Sequence, residues 1–68
     1  MSIQAGQIWK CYGAIIEVEI LEIMENGLVK VTQKDAETKE LLSEGVFEKA
    51  DVEKYLTEYK FELQEVAV

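Results

Sequence analysis

Apolar and polar residues alternate with a period of two through the middle of the first half of the chain. Ile16, Val18 and Ile20 fall on one face of an extended backbone, and Glu17 and Glu19 fall on the other. The parity then slips, because Leu21 and Ile23 are apolar on either side of Glu22. A bulge or sharp bend near Ile20-Leu21 restores the alternation, and such a bend lets one long strand serve two parts of a small barrel. This strand, Ile15 to Met24, runs into Glu25-Asn26-Gly27. Asn-Gly between apolar stretches favours positive φ at both turn positions, so the pattern predicts a hairpin whose return strand covers Leu28 to Gln33.

Upstream, Gln7 to Tyr12 reads as a strand with Trp9 and Cys11 on one face and Ile8, Lys10 and Tyr12 on the other, ended by Gly13. Downstream, the polar stretch Lys34 to Thr38 predicts a loop and Lys39 to Leu42 a short strand. Ser43-Glu44-Gly45 predicts a turn, after which Val46-Phe47 returns inward. The period then changes. Val52, Tyr55, Leu56 and Tyr59 fall at i, i+3, i+4 and i+7, and Asp51 stands where an N-cap belongs, so a helix is predicted over Val52 to Glu58. Phe61 and Leu63 alternate again, in a final edge strand over Lys60 to Leu63. The fold class expected is mainly β: one small domain of about five short antiparallel strands with one short C-terminal helix. Residues 1–5 and 64–68 are expected as loose ends.

The succession Gly6-x-Ile8-Trp9, a long Glu/Val strand, Asn26-Gly27, Leu28-Val29-x-Val31, a polar loop and a late helix carrying Tyr55-Leu56 and Tyr59 resembles the small SH3-like barrel proteins of bacteria and their phages. The resemblance runs from Gly6 to Leu63. It implies a barrel opened by the glycine-tryptophan start and plugged or flanked by the late helix. The Ala-Leu-Tyr-Asp-Tyr run of peptide-binding SH3 domains is absent, as is the basic, glycine-containing turn of ribosome-associated barrels. The resemblance therefore bears on fold and leaves function open.

Composition narrows the chemistry. The 68 residues include no histidine, seven basic residues that are all lysine, and fourteen acidic ones, for a formal charge of −7. Without imidazole, the usual Ser-His-Asp and Cys-His nucleophiles and mixed zinc sites are closed off. Without arginine there is no bidentate fork for phosphate. The negative balance opposes direct nucleic-acid binding, whose proteins carry a basic patch. No enzymatic activity and no cofactor are expected. The N-terminus has no basic and apolar leader, and no apolar run is long enough to cross a membrane. With a single cysteine there is no disulfide framework, so a reducing, cytoplasmic setting is expected, and self-association is one source of added stability for so small a core.

Cys11 reads as a small core thiol, since free cysteine is among the most buried residue types and Lys10 beside it points to the opposite strand face. Asp35, Glu37 and Glu40 share a loop region but lack the glycine and terminal glutamate of a calcium loop, so they read as solvated. Of the aromatics, Trp9, Phe47, Tyr55 and Tyr59 are expected mainly in the core. Ile8 and Tyr12 are the candidates for an exposed apolar contact patch.

The charge is unevenly placed. Residues 1–34 carry three lysines against four acids, whereas residues 35–68 carry four lysines against ten. Glu44, Glu48, Asp51, Glu53 and Glu58 are candidates for an acidic face around the helix, and Glu17 and Glu19 add an outward pair about 6.8 Å apart by strand geometry. That separation is close to two nucleotide steps along one DNA strand, at roughly 3.4 Å each. Two functions follow as expectations. The first is a small accessory protein that binds another protein. The alternative is an acidic phage or mobile-element inhibitor that imitates nucleic acid and blocks a nucleic-acid-binding or defence enzyme.

Overall fold

The computed structural model describes residues 3–11, 13 and 15–66. Five antiparallel strands form one sheet: β1 (Gln7–Cys11), β2 (Ile16–Ile23), β3 (Leu28–Asp35), β4 (Leu41–Glu48) and β5 (Glu62–Val66), in the order β4-β3-β2-β1-β5. One helix, α1 (Lys49–Glu58), connects β4 to β5. This is the expected mainly β class, a small barrel-like meander with one short helix near its C-terminal end.

Period-two alternation sets the two sheet faces. Trp9 pairs with Val18, Ile20 with Val31, and Val29 with Phe47, so the inner face carries a row of apolar side chains. Val52 and Leu56 of α1 and Phe61 after it close over that face, and the cluster also takes in Ile3. Ile3 is therefore no loose end: it is buried, and Gly6 beyond it donates its N–H to the Ile20 carbonyl at 2.8 Å. At the other end the chain stays in the ladder beyond Leu63, with Glu65 and Val66 opposite Ile8 and Gln7. Gln7 is buried because its Oε1 accepts hydrogen bonds from the Gln4 N–H at 2.9 Å and the Trp9 indole at 3.2 Å.

The parity slip in β2 is a bulge. The register jumps between Ile20 and Glu22, which leaves Leu21 as the extra residue. The β2–β3 hairpin forms where Asn26-Gly27 predicts it, with a turn of a different type. Only Gly27 has positive φ (85°); the Met24 N–H donates to the Leu28 carbonyl and the Gly27 N–H to the Met24 carbonyl, so the loop has three residues with glycine in the left-handed position. Asn26 Oδ1 accepts from the Leu28 N–H at 3.2 Å.

Two expectations fail in the second half. Ser43-Glu44-Gly45 is not a turn: β4 runs straight through it, with Ser43, Glu44 and Gly45 opposite Gln33, Thr32 and Val31. The helix also begins earlier than Val52, and its N-cap is Glu48, with no side-chain cap, while Asp51 lies in the first turn. The Lys49 N–H is instead satisfied by the Gly27 carbonyl at 3.1 Å, so the tip of the β2–β3 hairpin anchors the helix start. At the other end Lys60 adopts φ 55°, its N–H bonds to the Thr57 carbonyl, and the Phe61 N–H bonds to the Leu56 carbonyl. That is a Schellman motif with lysine in the position usually held by glycine, sealed by the core contact of Leu56 and Phe61.

Candidate protein-binding surface at strand β4

β4 is an edge strand, hydrogen-bonded to β3 on one side only. Leu41, Leu42, Val46 and Phe47 are each about half exposed, at 54%, 52%, 47% and 50%. Val46 lies on the outer face opposite Lys30, while Phe47 lies on the inner face opposite Val29. Beside Phe47 the sheet and helix part to form a cavity of about 250 Å³, lined by Val18, Val31, Gln33, Phe47, Asp51, Val52 and Tyr55. The Tyr55 hydroxyl accepts from Gln33 Nε2 at 3.3 Å across this opening, and its ring packs on Tyr59 and Phe61. The expected inward return of Phe47 is thus half fulfilled: it faces inward at the open edge of the sheet, where no further strand covers it. Tyr59, also expected in the core, is exposed because α1 ends there.

Of the two candidates for an apolar patch, Ile8 is the one the structure describes. That residue is half-buried on the outer face, between Glu19 on β2 and Glu65 on β5. Tyr12 lies outside the described residues. The exposed apolar residues of β4 carry a sequence signal of their own. In a strand, two adjacent apolar residues point to opposite faces, so Val46-Phe47 leaves one member off the core, while at Leu41-Leu42 a register shift leaves Leu42 without a ladder partner on β3.

The acidic candidates divide by position. Glu17 is buried on the outer face, 2.8 Å from the Lys39 ammonium and 3.9 Å from that of Lys10. The ladder across four strands reads Glu62, Lys10, Glu17, Lys34, so opposite charges stand side by side. Glu19, half-buried, lies 3.8 Å from Lys34. Glu17 and Glu19 are therefore no free acidic pair, because lysines on neighbouring strands and on the β3–β4 loop neutralise them. Glu58 pairs with Lys54 one helical turn away, at 3.9 Å. Glu44, Glu48, Asp51 and Glu53 have no lysine within 4.0 Å among the described residues, and they gather on β4 and the first turns of α1. The expected acidic face contracts to that corner, beside the exposed apolar residues.

Elsewhere the side chains serve the fold. Asp35 Oδ1 accepts the N–H groups of Glu37 and Thr38 at 2.8 and 2.9 Å, and these bonds hold its carboxyl below the usual carboxylate range. Cys11 is half-buried rather than fully in the core, and its thiol donates to the Tyr59 carbonyl at 3.3 Å. Among the described residues no group of three or more acidic or cysteine side chains is placed to hold a metal ion, and no helix is long and apolar enough to cross a membrane. No family model, no curated protein and no solved structure matches the chain.

Proposed function

We propose that this chain is a non-enzymatic binding protein that works by contacting another protein through β4 and the adjoining end of α1. The observation that carries the reading is the exposure of Leu41, Leu42, Val46 and Phe47 on one strand with a free edge. Apolar edge strands invite pairing; the bulge at Leu42 and the exposed Glu44 and Glu48 restrict what can pair with β4, while its half-exposed apolar residues next to an apolar cavity suit a selective contact. The strand order, with a helix between the fourth and fifth strands, also supports the SH3-like barrel resemblance.

The test is capture from bacterial lysate at low and moderate salt, with a variant carrying threonine at Leu41, Leu42 and Val46. Threonine keeps the strand propensity while removing apolar area. A partner retained at moderate salt by the parent and lost by an equally stable variant supports the reading. An unchanged set of captured proteins sinks it.

The second reading is an acidic inhibitor that mimics nucleic acid, and it draws support from Glu44, Glu48, Asp51 and Glu53, which have no lysine within 4.0 Å among the described residues. It no longer draws on Glu17 and Glu19, whose charge lysines compensate. It predicts salt-sensitive capture of nucleic-acid enzymes, lost when Glu44 and Glu48 become glutamine.

A further inference from the structure

We propose that the occupant of this surface is an extended, basic segment of a partner protein that adds to the free edge of β4 as a sixth strand. Its outward side chains opposite Glu44 and Glu48 are lysine or arginine, and an inward apolar side chain opposite Gly45 reaches the cavity beside Phe47. The inference deepens the protein-binding reading and rests on it.

Three observations point the same way. β4 is eight residues long with one side of its backbone ladder unpaired, whereas the other edge, β5, has five. Strand addition uses such an edge: main-chain hydrogen bonds supply affinity, and alternate side chains supply selectivity. Gly45 stands in register with Val31, a cavity-lining residue, so the sheet has no side chain between the free edge and the cavity at that level; only the ring of Phe47 lies across the gap. On the opposite face Glu44 and Glu48 are exposed and have no lysine within 4.0 Å among the described residues.

The same charges argue against a second copy of this chain as the occupant. Two copies extending one sheet across β4 pair antiparallel about a two-fold axis. The register that sets Leu42 against Val46 and Leu41 against Phe47 also sets Glu44 directly against its copy. Shifting the centre to Gly45 sets Glu44 against Val46 and Leu42 against Glu48. Like charges directly opposite are destabilising, and each copy already carries −7. A basic strand meets the same positions with complementary charge.

The experiment uses three synthetic heptapeptides: alternating lysine and valine, alternating lysine and glycine, and alternating glutamate and valine. Binding is followed by amide chemical shifts of the full chain at low and physiological ionic strength. The lysine-valine peptide is expected to bind about tenfold tighter than the equally charged lysine-glycine peptide, with shifts confined to β4 and the first half of α1. Glu44→Lys is expected to reverse the preference toward the glutamate-valine peptide. Glu58→Lys, which changes net charge equally at the far end of α1, is expected to leave it unchanged.

Equal affinity for the lysine-valine and lysine-glycine peptides would mean diffuse electrostatics and overturn the proposal. So would absence of binding, equal effects of the two charge reversals, or spontaneous dimerisation through β4. Peptide binding that maps to β5, or lysate capture that survives when the lysine-valine peptide fails, overturns strand addition at β4 and leaves the protein-binding reading standing. Loss of both peptide binding and lysate capture removes the two together.

Discussion

The ring of Phe47 fills the space that a side chain at Gly45 would occupy: a Cβ built on Gly45 stands 2.9 Å from both Cε2 and Cζ of that ring. An aromatic residue covering a strand glycine in this way restores the apolar contact that the glycine lacks. Gly45→Ala is expected to swing the ring outward about its own side-chain torsions and leave the fold intact. Stability should change by no more than about 1 kcal/mol, because the ring's far end moves readily and alanine lowers unfolded-state entropy. Ring-current shifts of the Gly45 α-protons, present in the parent and absent in Phe47→Leu, check the contact.

Lys60 holds a left-handed conformation that costs a residue with a Cβ roughly 1–2 kcal/mol. Lys60→Gly keeps the Schellman hydrogen bonds and removes that cost, partly offset by glycine's greater entropy when unfolded. A gain of about 0.5–1 kcal/mol in chemical denaturation is expected. A loss would show that the lysine side chain contributes contacts that outweigh the strain.

Thr32 is buried between Glu19 and Glu44 in the ladder, and its Oγ1 has no hydrogen-bond partner among the described residues. Thr32→Val replaces that hydroxyl with a methyl group of similar shape. Stability should rise by about 1 kcal/mol, since an unsatisfied buried polar atom costs on that order. Thermal unfolding of the two proteins decides it.

Removing the Glu17 carboxylate takes away the anion that Lys10 and Lys39 share, while Lys34 keeps Glu19. Glu17→Ala should cost about 1–2 kcal/mol, more than Lys39→Ala, after which Lys10 still faces the carboxylate. A double-mutant cycle isolates the pair and should give a coupling near 1 kcal/mol. Independence of the two substitutions would reduce the 2.8 Å contact to a surface encounter.

Asp35 has a lowered folded-state pKa because two backbone N–H groups and the Thr38 side chain bond to its carboxylate. A depressed pKa means that the stabilisation is complete above the unfolded value, about 3.9, and disappears as the pH falls through the lower folded value. Asp35→Asn should lower the melting temperature at neutral pH and flatten the acid end of the stability curve. Parallel curves for the two proteins across that range would count against the assignment.

What was legible in the sequence was local. Asn26-Gly27 marks a hairpin because glycine tolerates the left-handed position that the loop needs. The Leu21 bulge shows as a parity slip, since strand side chains alternate strictly. Val52 and Leu56 reveal α1 by their helical spacing. The misreadings also have physical causes. Gly45 carries the composition of a turn, yet its missing side chain serves the Phe47 ring within a strand. The helix start has no side-chain cap to announce it, because its first N–H is satisfied from the hairpin tip.

The candidate site depended on register. Whether an outward glutamate is a free charge or half of an ion pair depends on what neighbouring strands place beside it, and Lys39 reaches Glu17 across 22 residues of chain. By itself the sequence determined the β2–β3 hairpin, the presence of α1, the apolar face of β2 and the excess of acid in the second half. Only the tertiary structure decided which strand is an edge, which carboxylates remain unpaired, and where the apolar surface stays open. Those properties come from strand order and long-range pairing, which no local spacing encodes.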